Sequence, residues 1–291
     1  MHTSQLKLFA NRLLQQFNLR IDSLTLQRQE LQRLRRLKQQ GHFGRPVFPL
    51  PQSFTSADIH AVFTAVERYR VRFDDFVAVG RNQVGYCFEN DFYSSPDTEV
   101  LYSFIRDYHP KTILEIGSGN STKIARQAIL DGTTASRLIS VDPQPRAEID
   151  QLADRIYRQP VEAIQLNELA QLVGSGDILF IDSSHELKIG NDVAFLFLQL
   201  LPILPAGLLI HVHDVFLPYE YPEDWAMAQH VIWLEQYLVQ AILAQGNAFE
   251  VLWPGYYTQR TRADFETYFP HARGRRAQSL WLRKLSPPVL T

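Results

Sequence analysis

The chain has 291 residues, enough for one large α/β domain and an accessory segment, and its formal net charge is −2. That charge argues against bulk nucleic-acid binding, and a composition of 45% hydrophobic and 21% charged residues is typical of a soluble globular protein. Cys87 is the only cysteine, so an intrachain disulfide is impossible and a reducing compartment is expected. Because the first residues also lack the apolar core of a signal peptide, we expect a cytoplasmic protein.

The N-terminal segment, residues 1–45, is rich in Leu, Gln and Arg and has the pattern of an amphipathic helix. Its apolar residues recur at three-, four- and seven-residue steps, which predicts one helix or a helix pair broken near Asn18–Ser23. One interpretation is a helical cap on the domain or on a partner subunit, which would make a homo-oligomer. The other is a basic helix that rests on an anionic membrane surface. Residues 46–92 are predicted to be a linker followed by an accessory helix near Thr55–Asp75.

Residues 93–285 alternate short apolar runs with helical segments, and this alternation predicts a doubly wound α/β sheet. Ser95-Pro96-Asp97 has the features of a helix start: an N-cap residue, then proline, then an acid that complements the helix dipole. The predicted strands are 113–116, 137–142, 156–157, 177–182, 208–214, 249–257 and 279–284. Further helices are predicted near 146–154, 192–201 and 225–245.

The segment Val193–Val212 is almost uncharged and about as long as a membrane span. Pro202, Pro205 and Gly207 interrupt it near the middle, where a continuous transmembrane helix would not tolerate them easily. We therefore predict a helix, a turn and a buried strand here, and no transmembrane span.

The stretch Lys111–Thr122 carries the strongest functional signal in the chain. An apolar run ending at Ile116 predicts a strand buried on both faces, and Gly117 and Gly119 follow it directly. Glycine allows positive φ and lets a ligand approach the backbone, so a strand, a glycine turn and a helix start form half of a nucleotide pocket. Glu115 within the strand is unusual, because a buried carboxylate costs free energy unless it is paired.

The next predicted strand ends in Asp142, at the position where an acidic residue would hold the ribose hydroxyls of a nucleoside. A dehydrogenase would have a third glycine where this chain has Thr122. Glu115-Ile-Gly-Ser-Gly together with Asp142 instead resembles motif I and the acidic loop of class I S-adenosylmethionine-dependent methyltransferases. The resemblance implies a seven-stranded Rossmann-like sheet with antiparallel sixth and seventh strands, here preceded by an N-terminal helical extension.

The same resemblance implies that S-adenosylmethionine binds at the strand ends, with its amino-acid end over the glycine turn and its ribose on the acidic residue. Phe92 and Tyr93 arrive beside this pocket and could cover it. The predicted cofactor-binding residues are Tyr93, Glu115, Gly117, Gly119, Asn120, Ser121, Asp142, Pro143, Glu162 and Asp182.

Two further strand ends carry ionisable side chains. The fourth strand ends in Asp182-Ser-Ser-His185, and the fifth ends in His213-Asp214. These strands should be neighbours of the first, so the side chains are predicted to meet in one crevice. Such a group can bind a divalent cation or take a proton from a hydroxyl nucleophile. Either aspartate could instead cap the turn that follows it, and His211, deeper in the strand, is predicted to be a core residue.

The block from Gly176 to Pro222 resembles a bacterial branch of class I methyltransferases that has an Ile-Asp-x-x-His turn and a His-Asp strand end. Its relatives include macrocin-type sugar O-methyltransferases, which use magnesium, and cephalosporin hydroxylase-like proteins. The resemblance implies metal ligands at Asp182 and Asp214. Some relatives have an acidic residue just before the second aspartate, where this chain has His213.

These observations together predict a methyltransferase that acts on an oxygen of a small molecule or of a sugar or glycan. We expect His213 to be the general base, with His185 as the second candidate and Asp182 beside them, since a histidine titrates near neutrality. The alternatives are a hydroxylase-like or non-catalytic cofactor-binding protein of the same fold, and an interaction module built on the N-terminal helix.

Overall fold

The computed structural model describes residues 3–133, 135–229 and 233–288. Its described residues form two compact units, one of residues 3–45 with 222–229 and one of residues 46–221 with 233–288. Within these ranges, no helix is both long and apolar enough to cross a membrane. The segment Val193–Val212 is a helix, a turn and a buried strand, as predicted.

The first unit contains the predicted helix pair. Helices α1, Thr3–Leu14, and α2, Thr25–Gln39, are separated at Asn18, which has a left-handed backbone with φ 55°. A 3₁₀ turn at Gln15–Phe17 extends α1, another lies at His42–Gly44, and a π-helical turn spans Trp225–Gln229. Several apolar side chains of the pair are exposed, among them Phe9 at 63% and Phe17 at 67%. The choice between a subunit contact and a membrane surface stays open.

The second unit is built on one seven-stranded sheet in the order β3-β2-β1-β4-β5-β7-β6. Strands β1 to β5 are parallel, and β7 runs antiparallel to both β5 and β6. This confirms the Rossmann-like fold that the resemblance implied, with β1, β4 and β5 as neighbours. The strands are β1 Thr112–Ile116, β2 Arg137–Val141, β3 Arg155–Tyr157, β4 Ile178–Ile181, β5 Leu209–Val212, β6 Phe249–Pro254 and β7 Leu280–Lys284.

Helices cover both faces of the sheet. They are α3 Gln52–Thr55, α4 Ile59–Arg68, α5 Arg70–Phe73, α6 Asp97–Tyr108, α7 Asn120–Leu130, α8 Leu166–Ala170, α9 Asp192–Phe195, α10 Leu201–Ile203, α11 Glu235–Gln245, α12 Gly255–Thr261 and α13 Phe265–Tyr268. A π-helical stretch, Leu196–Leu200, joins α9 to α10, and 3₁₀ turns lie at Asp74–Phe76, Val161–Ala163 and Pro270–Ala272. Residues 46–92 and 93–285 belong to this one unit, so a domain boundary between them stays a prediction.

Side chains alternate between the two faces of the central strands, and this alternation places the polar residues of the sheet. Leu114 and Ile116 of β1 join the apolar cluster on one face, whereas Ile113 joins the cluster on the other face, which includes residues of α6. Glu115 therefore points to the α6 face, and His211 of β5 does so by the same alternation. That face holds buried polar side chains directly under the strand ends.

Three helix predictions differ from the structure. The accessory helix begins at Ile59, because Asp58 accepts a hydrogen bond from Ala61 N at 3.1 Å and so caps it there, and it ends at Arg68. No α-helix forms at 146–154: prolines precede this segment, and Arg146 N donates to Ser118 O instead of to a helical carbonyl. The predicted helix 225–245 is a π-helical turn and α11, and its residues 230–232 lie outside the described residues.

Candidate active site

The glycine turn after β1 brings two strand ends into contact. Gly117 has φ 82°, and a Cβ built on it would lie 1.8 Å from the backbone carbonyl oxygen of Asp182. Only glycine fits such a position, because the backbone conformation is left-handed and the obstructing atom belongs to the neighbouring strand end. The turn therefore lies directly against the end of β4, and α7 begins immediately afterwards at Asn120.

Glu115 in β1 anchors the start of α7 through hydrogen bonds. Its carboxylate is 1% exposed and accepts hydrogen bonds from Ser121 Oγ at 2.8 Å and Thr122 Oγ1 at 2.6 Å. Burial raises the pKa of Glu115 to about 8, although the two hydroxyl donors oppose the shift. The side chain does not line the cavity described below, so its contacts position the turn and not a ligand.

Asp142 lies just past the end of β2 and organises the same turn from above. Its Oδ2 accepts hydrogen bonds from Ser118 N at 2.8 Å and Ser118 Oγ at 3.1 Å, and its Oδ1 accepts one from Gln144 N at 2.7 Å. A carboxylate can accept about four hydrogen bonds, so little capacity is left for a ligand hydroxyl. Asp142 is therefore a support for the glycine turn as well as a potential ribose ligand.

A cavity of about 370 Å³ opens over this turn, which is within the usual range for a small-molecule site. Every predicted cofactor-binding residue except Glu115 lines it: Tyr93, Gly117, Gly119, Asn120, Ser121, Asp142, Pro143, Glu162 and Asp182. Sequence reasoning missed Ser118, and also Arg146, whose guanidinium carbon lies 4.9 Å from the centre of the Phe92 ring at the cavity wall. Two of the lining residues each have a buried polar atom without a hydrogen-bond partner among the described residues, Glu162 Oε2 and Ser183 Oγ.

A cluster of buried carboxylates and imidazoles adjoins the cavity through Asp182. His185 Nε2 lies 3.2 Å from Asp182 Oδ1 and 3.3 Å from Asp214 Oδ2. His213 Nδ1 lies 3.5 Å from the same Asp182 oxygen and 3.6 Å from Asp214 Oδ1. The structure thus brings together all four side chains that the strand ends were predicted to contribute. Of the four, only Asp182 lines the cavity, and 24% of its side chain is exposed.

Electrostatics makes both histidines in this cluster more basic than usual. Burial favours the neutral imidazole, but the carboxylates of Asp214 and Asp182 outweigh it and raise the pKa of His213 well above its ordinary value. Burial is likewise outweighed at His185, whose pKa is raised by its hydrogen bonds to Asp182 and Glu235. Burial alone would raise the pKa of Asp182, yet the neighbouring imidazoles lower it well below its ordinary value.

Two members of the cluster carry no local sequence signal for the site. Glu235, the first residue of α11, is 1% exposed, and its Oε2 lies 2.7 Å from His185 Nδ1. Asp97, the first residue of α6, has its Oδ2 3.5 Å from His213 Nε2. Asp97 was expected only as a helix-start acid, and its Oδ1 also accepts a hydrogen bond from Ser279 Oγ at 2.6 Å.

His211 stays out of the cluster. Its ring stacks on Phe180 with a centroid distance of 4.0 Å and packs edge-on against Trp281 at 5.0 Å. Burial lowers its pKa well below the ordinary value, so the ring is neutral and acts as a packing group beneath His213.

Part of the sheet, from β1 to just after β5, matches a known protein family. Residues 114–215 match the family model described as a methyltransferase domain. The matched residues, about a third of the chain, begin in β1, include the glycine turn and Asp142, and end just after Asp214. No curated protein sequence matches the chain significantly.

Three solved structures resemble the fold. The O-methyltransferase TomG from Streptomyces achromogenes, crystallised with SAM, is 14% identical and aligns over 78% of this chain and 90% of its own, with a TM-score of 0.40. The O-methyltransferase from Bacillus cereus, in complex with SAH, is 13% identical over 78% and 91%, with a TM-score of 0.41. The SAH-bound methyltransferase PaMTH1 from Podospora anserina is 20% identical over 78% and 88%, also with a TM-score of 0.41.

The matched segment contains donors that suit two ligands. The cavity is lined by the glycine turn, the start of α7 and the acidic residues Asp142 and Glu162, which together fit a nucleoside with an amino-acid tail. Among the described residues, Asp182, His185 and Asp214 present ligand atoms within 4.8 Å of one another, which fits a metal ion.

Proposed function

We propose that the protein is an S-adenosylmethionine-dependent methyltransferase that acts on an oxygen of a small molecule, or of a sugar or glycan hydroxyl. The observation that carries the proposal is the junction at Asp182. This one side chain lines the nucleoside-sized cavity and also contacts the buried histidine–carboxylate cluster. A cofactor site and a proton-accepting group are therefore adjacent.

The cavity supports the cofactor half of the proposal. Asn120 and Ser121, the first two residues of α7, line it, so a carboxylate group would be stabilised there by the positive end of the helix dipole. The Asp142 carboxylate lies at the ribose position that the resemblance implies. The carboxylate of Glu162, which lines the cavity, is a hydrogen-bond acceptor, so it could receive the exocyclic amine of an adenine ring.

The cluster supports the acceptor half. Bound S-adenosylmethionine would supply a methyl group that is already electrophilic, so the protein has to orient the acceptor and remove its proton. The acceptor oxygen would bind beside Asp182, the cluster member that faces the cavity. The new O–C bond forms as the C–S bond breaks, and the acceptor proton passes to the neutral form of His213, with His185 as the second candidate base. Because the neighbouring carboxylates raise the pKa of His213, this neutral form is favoured at higher pH than for an ordinary histidine.

Asp182 and Asp214 are the proposed metal ligands. A divalent cation held there would orient the acceptor oxygen and offset the buried negative charge. The carboxylate oxygens of both residues approach the imidazoles of the cluster, so the cation and the base would act on the same acceptor oxygen.

Calorimetry with S-adenosylmethionine tests the cofactor half, and release of S-adenosylhomocysteine over a panel of sugar, phenol and small-acid acceptors tests the reaction. We expect binding in the micromolar range or tighter and turnover with at least one hydroxyl acceptor. Absence of binding by the intact, folded protein would refute the proposal. Binding without turnover of any acceptor would favour a non-catalytic or hydroxylase-like protein of the same fold.

A further inference from the structure

The Nε2 atom of His185 contacts the carboxylates of Asp182 and Asp214, and its Nδ1 atom contacts the carboxylate of Glu235. We propose that His185 Nε2 is a protein ligand, together with Asp182 and Asp214, of a transition-metal cation, and that Glu235 orients the ring for this role. The inference deepens the proposed function, since Asp182 also lines the cofactor cavity. Its test requires neither the cofactor nor methyl transfer.

The spacing of the three donors matches a coordination polyhedron. Metal–ligand bonds of about 2.1 Å separate adjacent ligands by roughly 3.0 Å in an octahedron and roughly 3.4 Å in a tetrahedron. His185 Nε2 lies 3.2 Å from Asp182 Oδ1 and 3.3 Å from Asp214 Oδ2. Both distances fall between these limits, so an ion could contact all three donors with small side-chain shifts.

The imidazole is oriented in the way that metal-binding histidines usually are. Such a histidine donates its other ring N–H to a carboxylate, which fixes the tautomer and leaves the ligating nitrogen free. Glu235 Oε2 lies 2.7 Å from His185 Nδ1, and Glu235 is 1% exposed. The backbone is tied to the same helix start, because His185 O accepts hydrogen bonds from Leu234 N at 2.9 Å and Glu235 N at 3.3 Å.

Two of the three donors, His185 and Asp214, have an uncommon backbone conformation. His185 has φ 58° and Asp214 has φ 57°, both in the left-handed region that residues other than glycine seldom adopt. Such conformations cluster at ligand-binding sites, where the surrounding structure holds a side chain in one direction. Here both direct their side chains toward the same point, the space between Nε2 and the two carboxylates.

The group also contains more carboxylates than imidazoles, and two of the carboxylate oxygens lack a hydrogen-bond partner in the part of the chain that the structure describes. Asp214 is 7% exposed, and its Oδ1 has no hydrogen-bond partner among the described residues; Glu235 Oε1 is in the same situation. Buried carboxylates cost free energy unless they are paired or coordinate a metal. A divalent cation on the Nε2 side of His185 would contact Asp214 and offset the charge of that carboxylate.

The donor set favours one class of metal. Carboxylate ligands suit magnesium, calcium and manganese, whereas an imidazole ligand suits zinc, iron, copper and nickel. One imidazole with two carboxylates therefore favours Mn²⁺, Fe²⁺, Co²⁺ or Zn²⁺ over the magnesium that the resemblance implied. The expectation of magnesium came from a ligand set without His185.

The experiment is a Mn²⁺ titration of the metal-stripped full chain in the absence of S-adenosylmethionine. Electron paramagnetic resonance measures free Mn²⁺, and pulsed measurements detect hyperfine coupling to a ligand nitrogen. We expect one site with a nitrogen coupling, and weaker competition from Mg²⁺ than from Co²⁺. His185→Gln should lose the coupling, and Glu235→Gln should keep it while affinity falls roughly ten- to a hundredfold.

His213→Gln is the matched control, because that imidazole lies at a similar distance from the same carboxylates but is not proposed as a ligand. It should retain the nitrogen coupling. Loss of the coupling in this variant and not in His185→Gln would overturn the assignment, as would a wild-type protein that binds no Mn²⁺. Calorimetry with S-adenosylmethionine on the same samples shows whether the proposed function fails independently of the metal site. Thermal unfolding of each variant shows whether a lost signal is due to misfolding.

Discussion

The two sides of the candidate site are built in different ways. The proposed cofactor side, over β1 and β2, is an open cavity lined by a glycine turn, the start of α7 and one strand-end carboxylate. The acceptor side, at the ends of β4 and β5, is a nearly closed cluster in which His185 and His213 are 5% and 2% exposed. Local backbone geometry therefore forms the cavity, whereas the packing of charged side chains that are distant in sequence forms the cluster.

The largest expected effect separates the two sides. His213→Gln should lower turnover by about 10²–10⁴, because the acceptor proton loses its base, while the affinity for S-adenosylmethionine stays near wild type. Steady-state kinetics and calorimetry on the same preparation measure both quantities. Full activity in the variant rules out His213 as the base. A parallel loss of cofactor affinity would mean that the two sides are not independent.

The close contact between the glycine turn and the end of β4 is tested by a substitution at Gly117. Gly117→Ala should reduce the free energy of unfolding by about 3–5 kcal/mol, because its Cβ would overlap the carbonyl oxygen of Asp182 in a left-handed backbone. Urea denaturation measures the change. Gly119→Ala is the control: its Cβ would meet nothing closer than Arg146 Cβ at 3.9 Å, so its stability should stay near wild type. Equal losses in the two variants would contradict the close approach at Gly117.

Glu115, beneath the cofactor side, should give the protein a pH-dependent stability. Its folded-state pKa of about 8 is higher than that of the unfolded chain, so the folded protein binds the extra proton. This contribution is fully present below about pH 4.5 and is lost as the pH rises toward 8, a decrease of about 5 kcal/mol. Glu115→Gln should flatten that part of the stability curve, as urea midpoints across this range would show. An unchanged slope means that Glu115 is ionised throughout.

The smallest expected effect is confined to the cofactor side. Asp142→Ala should weaken S-adenosylmethionine binding roughly ten- to a hundredfold, since a charge-assisted contact and the support of the turn at Ser118 are both lost. Asp142→Asn should weaken it less, because the amide oxygen still accepts one of those hydrogen bonds. Calorimetry gives both affinities, and Mn²⁺ binding should be unchanged in each variant. Wild-type cofactor affinity in Asp142→Ala would remove this residue from the site.

The sequence alone determined the residues of the proposed cofactor side and the doubly wound character of the sheet. A strand, a glycine turn and a helix N-cap are contiguous in the chain, so the cavity residues Gly117, Gly119 and Asn120 could be assigned from a dozen neighbouring positions. The alternation of apolar runs with helices was sufficient to predict a doubly wound sheet, because hydrophobic periodicity is a local property. Glu115 was recognised as anomalous, but only its contacts with Ser121 and Thr122 show that it supports the turn.

Only the tertiary structure decided the other half of the site. Glu235 lies 50 residues after His185, and Asp97 lies 116 residues before His213, so neither pairing leaves a mark in any local pattern. Helix starts at α6 and α11 place these carboxylates against the strand ends, and a helix-start acid looks the same in sequence whether it caps its own helix or faces a histidine. The helix expected at 146–154 failed for a similar reason, since Arg146 N hydrogen-bonds to Ser118 O in the glycine turn. Local propensity gives way wherever a partner distant in sequence satisfies the backbone or the charge.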